Sequence, residues 1–178
     1  MMNKVLCSLL LFLSISCGLQ GRNANYARDS KRIWLDSKEI HHGEYVWKMK
    51  KAGDVISSAE KVSTLGYDTS DWLSAIVPGT VLNSLVYNKE YPEPYYGVNN
   101  KLESGKIPDI SKVGREFYTY WFRTEFDVPE SFAGKTIWLQ PDGVNYRAEI
   151  WVNGNLLSTL NGMFISDYIN VTDFVKVG

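Results

Sequence analysis

Between positions 114 and 129 the chain reads Gly114-Arg115-Glu116-Phe117-Tyr118-Thr119-Tyr120-Trp121-Phe122-Arg123-Thr124-Glu125-Phe126-Asp127-Val128-Pro129. Large residues recur at every second position, which predicts a β-strand because successive strand side chains point to opposite faces. One phase holds Tyr118, Tyr120, Phe122, Thr124, Phe126 and Val128. The other phase sets Trp121 beside Arg123 and Glu125. The first phase fits a core, and the second fits a surface that holds a sugar or meets another protein domain.

Other segments repeat this pattern on both sides of the stretch. Strands are predicted at 44–50, 136–140, 146–152 and 156–160. The last two are joined by Asn153-Gly154, a pair that tolerates the positive φ angles of a type I′ turn and so predicts a hairpin. Short strands separated by Gly- and Pro-containing turns indicate a mainly β, antiparallel sandwich.

Two short helices and one long loop are predicted between the first strand and position 114. Val81, Leu82, Leu85 and Val86 lie at helical spacing and indicate an amphipathic helix over 80–89. Residues 69–75 begin with helix-starting residues and indicate a second, shorter helix. Residues 91–111 form a loop rich in Pro, Tyr, Asn and Gly, and loops of this length are commonly functional.

The composition is that of an ordinary globular protein. The chain has 178 residues, 44% hydrophobic and 22% charged, with a formal net charge of −1. No basic tract is present, which argues against nucleic-acid binding. The only cysteines are Cys7 and Cys17.

The beginning of the chain has the pattern of an export signal. A short head with Lys4 precedes an apolar run and then Ser16-Cys17, so we predict a secretory signal at 1–16 and a tether at 17–32. Either Cys17 becomes the lipidated first residue of a bacterial lipoprotein, or ordinary signal cleavage occurs nearby. The folded domain is expected at 33–178. The predicted location is the periplasm, the outer membrane or the cell surface.

Side chains able to carry chemistry are few and scattered. His41 and His42 are adjacent, lack further ligands at metal-binding spacing, and predict a solvated turn rather than a metal site. Neither a metal nor another cofactor is expected. Sugar hydrolysis requires two carboxylates about 5 to 10 Å apart. The candidates are Glu93, Glu116, Glu125, Asp142 and Glu149. Ion pairs between strands explain Glu125 and Glu149 more simply, so no catalytic residue is assigned.

The strongest candidate binding surface is the loop 91–100, which reads Tyr91-Pro92-Glu93-Pro94-Tyr95-Tyr96-Gly97-Val98-Asn99-Asn100. Its prolines limit the entropy lost on docking, its tyrosines offer flat amphipathic area, and its asparagines offer paired donors and acceptors. Packing against another domain is the alternative explanation of the same residues.

Together these segments resemble the amino-terminal domain of glycoside hydrolase family 2 enzymes, in the exo-β-glucosaminidase and β-mannosidase branch. The resemblance covers roughly residues 33–178. It is carried, in order, by Trp47, Val77-Pro78-Gly79-Thr80-Val81, the loop 91–100, the stretch 117–126, and Asp142-Gly143-Val144-Asn145-Tyr146-Arg147-Ala148-Glu149-Ile150-Trp151-Val152-Asn153-Gly154.

The resemblance implies a galactose-binding-like jelly-roll sandwich with one or two short helices. In such enzymes a separate (β/α)8 barrel carries the acid/base and nucleophile glutamates of a retaining mechanism. The acid/base glutamate of the family directly follows an asparagine, and no Asn-Glu pair occurs here. Both catalytic residues are therefore expected to lie outside this chain. The predicted strands end with a turn near Gly178 and no closing strand follows, so we also expect an incomplete sandwich from the front of a longer enzyme.

Two functions follow as hypotheses. The first is the sugar-binding-type domain of an exported exo-acting β-glycosidase, which docks on the barrel and on the other domains of the parent enzyme. By position, Tyr95, Tyr96 and Asn99 are the expected pocket residues; Trp121 and Arg147 are second choices that interdomain packing or a cation–aromatic pair would also explain. The second hypothesis is a stand-alone, surface-attached carbohydrate-binding or interaction module.

Overall fold

The computed structural model describes residues 4–10, 32–41, 43–114, 116–163 and 165–178. These residues form eight strands: β1 Lys4–Leu10, β2 Trp47–Lys51, β3 Leu73–Ser74, β4 Tyr120–Asp127, β5 Trp138–Leu139, β6 Arg147–Val152, β7 Asn155–Asn161 and β8 Ile169–Asn170. They also form four α-helices: α1 Lys38–His41, α2 Ala59–Val62, α3 Val81–Tyr87 and α4 Ile110–Val113. Single 3-10 turns lie at Ala52–Asp54, Leu102–Ser104, Glu116–Tyr118, Glu130–Phe132 and Thr172–Phe174. Four helices are therefore present where one or two were expected, three of them with only four residues.

The strands form two antiparallel sheets. The larger has the order β3-β2-β4-β1-β6-β7, and the smaller pairs β5 with β8. Both sheets contribute to one core, in which Phe122 and Ile150 of the large sheet meet Ile137 and Ile169 of the small sheet or its flanks. This arrangement confirms the predicted mainly β, antiparallel sandwich.

Strand β4 buries both of its faces. The phase predicted for the core is buried at Tyr120, Phe122 and Thr124, as the alternation requires. The opposite phase is covered as well, because residues 52–72 cross that face of the sheet and enclose Trp121 in a second apolar cluster. A strand covered on both faces is a central strand, and this explains why its sequence is rich in large side chains on either side.

Of the helices and the hairpin predicted from short sequence segments, one helix and the hairpin are confirmed and one helix is wrong. The helix at 80–89 is confirmed as α3, whose N-cap Thr80 accepts a hydrogen bond from the Asn83 amide at 3.1 Å. The hairpin is confirmed, with φ angles of 48° at Asn153 and 85° at Gly154. The helix predicted over 69–75 is wrong: Leu73–Ser74 pairs with β2, and this tertiary pairing overrides the local propensity.

The predicted export signal overlaps a strand of the large sheet. Lys4–Leu10 forms β1, which pairs with β4 along its whole length and with β6 from Cys7 to Leu10. Cys17 and nearly all of the predicted tether lie outside the described residues, so the signal and its lipidation stay predictions. Within the described ranges no helix has the length and apolar character needed to span a membrane.

Candidate functional site

One end of the large sheet gathers the loops on which the sequence analysis concentrated. Strand register places Lys51 beside Tyr120, and Leu10 beside both Trp121 and Glu149. The segments that precede β4 and β6 therefore emerge at the same end of the sheet. The segment after β7 joins them, because Arg147 is aligned with Asn161. We call residues 91–114, 116–119, 141–146, 162–163 and 165–168 the loop end.

The loop end is unusually rich in exposed apolar side chains. Tyr95 is 92% exposed and Tyr96 is 77% exposed. Three further side chains, from the other two loops, are more than half exposed: Tyr146, Met163 and Tyr168. Exposed aromatic area concentrated at one place is typical of a binding surface, because each ring combines a flat apolar face with a polar tip.

Asn99 supports the loop from within instead of facing outward. Its side chain is buried, and its Nδ2 donates to the Glu93 carbonyl at 2.9 Å. Its Oδ1 accepts from the Lys106 ammonium at 3.0 Å, and its own carbonyl accepts from the Ser104 hydroxyl at 3.1 Å. Because these bonds use the Asn99 amide within the loop, Asn99 stabilises the loop conformation in which Tyr95 and Tyr96 are exposed.

Three tyrosines near the two ends of the segment 91–119 are buried or half-buried: Tyr91, Tyr118 and Tyr120. The Tyr118 hydroxyl donates to the Pro108 carbonyl at 3.3 Å and so ties the loop to the start of β4. Burial raises the pKa of Tyr91 and of Tyr118, and it raises the pKa of Tyr120 to about 12. These phenols remain protonated at neutral pH, so they serve as hydrogen-bonding and packing groups and not as general bases.

The structure separates the two second-choice residues. Trp121 is only 5% exposed, because residues 52–72 pack Trp72 and Val62 against it. It is therefore unavailable to a ligand, and its assignment as a pocket residue is corrected. Arg147 is exposed at the start of β6, directly after Tyr146, and so borders the loop end.

Arginine–aromatic packing does occur, but it involves a residue that the sequence analysis did not select. The Arg123 guanidinium lies 5.9 Å from the centre of the Tyr67 ring and 2.6 Å from Glu125 Oε1. It also donates to the backbone carbonyls of Val62 at 3.2 Å and Thr64 at 3.0 Å. Arg123 thus fastens residues 62–67 to β4. An arginine in the middle of a strand that buries large aromatic side chains was the available signal.

An open groove of about 520 Å³ lies beside Arg123, at the opposite end of the sheet from the loop end. It is lined by residues 44–48, 66–69 and 123–127 in part. Arg123 and Glu125 line it but are bonded to each other, and Glu125 also accepts from the Gly66 amide at 2.9 Å. None of the predicted pocket residues lies in this groove.

Four of the five candidate carboxylates are bonded to close neighbours. Glu125 is paired with Arg123, and Glu149 accepts from the Trp151 indole at 3.2 Å. Glu93 accepts from the Tyr95 amide, and Asp142 accepts from the Gln140 side chain. Among the residues whose placement is described, no three His, Cys, Asp or Glu side chains gather in a way that could hold a metal ion.

Comparison with known proteins places the chain among glycosidase domains. Residues 47–178 match the family model described as glycosyl hydrolase 2 galactose-binding domain-like. A mannosylglycoprotein endo-beta-mannosidase of Lilium longiflorum is 39% identical over 107 residues, which are 60% of this chain and 11% of the relative. An exo-beta-D-glucosaminidase of Amycolatopsis orientalis is 27% identical over 126 residues, which are 69% of this chain and 11% of the relative.

Comparison with a solved structure also relates the fold to a domain of a glycosidase. The exo-chitosanase CsxA of Amycolatopsis orientalis, in complex with PNP-beta-D-glucosamine, superposes with a TM-score of 0.61 at 25% identity. The match covers 76% of this chain and 15% of that one. The chain therefore spans about a tenth of the length of these curated relatives and has the fold of one domain of the solved enzyme.

Proposed function

The chain belongs to the glycosyl hydrolase 2 galactose-binding domain-like family, and we propose that it is the sugar-binding-type domain of an exported, exo-acting β-glycosidase. In this proposal it docks on a catalytic (β/α)8 barrel of the parent enzyme, and its loop end forms one wall of the substrate pocket. The observation that carries the proposal is the exposure of Tyr95, Tyr96, Tyr146 and Tyr168 in the loops of the loop end, in a domain with this family membership.

The proposed reaction of the parent enzyme is hydrolysis of a β-linked O-glycosyl bond with retention of configuration. The names of the relatives support β-linked glucosaminides or mannosides as the substrate class. The lily relative is named an endo enzyme, whereas the Amycolatopsis relative is named an exo enzyme; the second, together with the similarity to CsxA, supports exo action. The two catalytic glutamates are proposed to lie in the barrel.

Within the pocket wall, Tyr95 and Tyr96 are proposed to stack against the apolar C–H face of a pyranose ring. Arg147 follows the exposed Tyr146 and is proposed to donate hydrogen bonds to sugar hydroxyls. Asn99 is proposed to contribute indirectly by stabilising the conformation of the loop 91–100 through its bonds to Glu93 and Lys106.

Export is proposed on the sequence pattern of residues 1–17. In this proposal residues 1–16 direct secretion and Cys17 receives a lipid, which would hold the enzyme at the periplasmic or outer face of a membrane. Such anchoring keeps a glycosidase close to polymers that reach the cell from outside.

Removal of both loop tyrosines tests the pocket assignment. In the full polypeptide that carries this domain, Tyr95→Ala combined with Tyr96→Ala is expected to raise KM for an aryl β-glycoside about tenfold, equivalent to about 1.4 kcal/mol of binding. The value of kcat should change little, because stacking on a ring acts on ground state and transition state alike. Steady-state kinetics measure both constants.

The matched control is Tyr87→Ala, since Tyr87 is a tyrosine at the end of α3, 45% exposed and outside the loop end. It should leave both constants unchanged. Equal kinetics for the double variant and the control would remove the loop from the pocket.

A further inference from the structure

The groove beside Arg123 is a cavity that the proposed function does not use. Its volume of about 520 Å³ lies within the range that is usual for small-ligand sites. Asp127, which lines it, is the last residue of β4, whereas Tyr120, next to the loop end, is the first. At about 3.3 Å per residue these two positions are about 23 Å apart. A molecule in the groove is therefore separate from the proposed pocket wall.

One part of the groove is acidic. Glu44 and Tyr45 line it just before β2, and Asp127 lines it at the end of β4. Burial raises the pKa of the Tyr45 hydroxyl, and the negative charges of Glu44 and Asp127 raise it further. Both carboxylates therefore act on the same hydroxyl, which stays protonated at neutral pH and keeps its hydrogen-bond donor.

Asp127 carries an acceptor that the described part of the chain leaves unused. Its Oδ1 is buried and has no hydrogen-bond partner among the described residues. A buried acceptor without a donor is unfavourable. The terminal torsion of an aspartate is broad, so a small rotation lets this oxygen meet a donor in the groove. A cationic donor suits it best, because charge-assisted hydrogen bonds are the stronger ones.

The rest of the lining offers donors and an aromatic ring. Lys48 is aligned with Arg123 in the pairing of β2 and β4, so the two side chains lie on the same face of the sheet. Arg123 is bonded to Glu125, whereas Lys48 takes part in neither of the ion pairs found in the described ranges. Tyr67 is half-buried in the covering segment, and Thr69 adds a hydroxyl.

The charges of the lining select the class of ligand. Of the charged residues in the lining, Arg123 and Glu125 neutralise each other. One cation, Lys48, then stands against two carboxylates, Glu44 and Asp127. A sugar that carries a carboxylate would add to this negative charge, whereas a sugar that carries an ammonium would balance it.

We propose that the groove is a second sugar site, which binds an amino-sugar unit of an oligosaccharide. Asp127 and Glu44 pair with the ammonium of the sugar. Lys48 and Thr69 bond its hydroxyls, and Tyr67 packs against the apolar face of its ring. The site goes beyond the proposed function, since it holds a saccharide chain away from the pocket and takes no part in the reaction.

Two matched ligands test the class of sugar. Isothermal titration calorimetry of the 178-residue chain compares a β-linked glucosamine tetramer with its fully N-acetylated form. We expect saturable binding of the first and binding of the second that is about tenfold weaker or less, because acetylation replaces each ammonium by a neutral amide.

Two matched double variants test the place of binding. Asp127→Asn combined with Glu44→Gln should weaken binding of the glucosamine tetramer about tenfold. The control, Glu60→Gln combined with Asp173→Asn, removes the same number of charges from exposed positions outside the groove and should bind as the unchanged chain does. An equal loss in the control would show that the tetramer binds through general charge attraction, and the proposal would fail.

Backbone amide shifts in nuclear magnetic resonance spectra locate the tetramer on the unchanged chain, whether or not a variant folds. The amides of Gly66 and Thr69, in the groove, should shift more than those of Tyr95 and Tyr96. Shifts confined to Tyr95 and Tyr96 would overturn the groove site while supporting the proposed pocket wall. Absence of saturable binding, or equal affinity for the two tetramers, would also overturn it.

Discussion

The variant Arg123→Ala is expected to lose about 3–5 kcal/mol of unfolding free energy, the cost of removing one partner of a buried ion pair. Arg123 is 5% exposed and bonds to Glu125 and to the carbonyls of Val62 and Thr64. Alanine would leave these acceptors unpaired and would detach residues 62–67 from β4. Urea denaturation followed by circular dichroism measures the loss.

The matched control is Arg147→Ala, which removes an exposed arginine from another strand of the same sheet and should change stability by less than about 0.5 kcal/mol. The double variant Arg123→Ala, Glu125→Ala should lose less than the sum of the single losses, because the two side chains interact directly. A loss below about 1 kcal/mol for Arg123→Ala would show that the guanidinium does not hold the covering segment.

The variant Trp121→Ala is expected to lose about 3–5 kcal/mol of unfolding free energy, which is the usual cost of a large-to-small change at a buried aromatic. Trp121 packs with Trp72, Trp151 and Val62 beneath the segment 52–72, so alanine would leave a cavity between that segment and the sheet. The denaturation midpoint and the near-ultraviolet circular dichroism signal both report this change.

Trp138→Ala provides the comparison, because Trp138 is 54% exposed on β5 and its removal leaves no enclosed cavity. Its effect should stay below about 1 kcal/mol. The opposite pattern, with Trp121→Ala stable but unable to bind a β-linked oligosaccharide, would restore Trp121 as a sugar platform and refute its place in the second cluster.

The period-two pattern predicted β4 and its core face correctly because one covered face is enough to impose alternation. The same pattern could not tell that the second face is covered too. That cover comes from residues 52–72, whose own sequence shows no clear period, and only the packed structure brings Trp72 and Val62 onto Trp121. The sequence analysis therefore assigned the face with Trp121, Arg123 and Glu125 to an exposed surface.

Asn99 in the loop 91–100 is a second case in which the sequence did not predict the role of a side chain. Sequence placed Asn99 among the ligand-binding residues because an amide offers both a donor and an acceptor. The structure uses both groups inside the loop, through Glu93 and Lys106. Local sequence does not reveal whether an amide pairs inward or outward. The exposure of Tyr95 and Tyr96 agrees with the interpretation of the loop 91–100 as a surface.

The position of the loop end follows from the topology of the sheet and could not be predicted from the pattern of residues. The meeting of three loops at one end follows from the antiparallel order of β4, β1, β6 and β7, which aligns the beginnings of β4 and β6 with the end of β7. The hydrophobicity of residues 5–15 fits an export signal and a central strand equally well, because both require an apolar segment.

Under the proposed function, this domain shapes a glycosidase pocket without supplying the catalytic carboxylates. The most direct measurement is nitrophenol release from nitrophenyl β-D-glucosaminide and β-D-mannoside by the purified 178-residue chain, with the full polypeptide as positive control. We expect the isolated chain to give only the buffer rate. Saturable turnover by the isolated chain that is lost in Glu125→Gln or Glu149→Gln would contradict it, because a catalytic carboxylate would then lie in this sandwich.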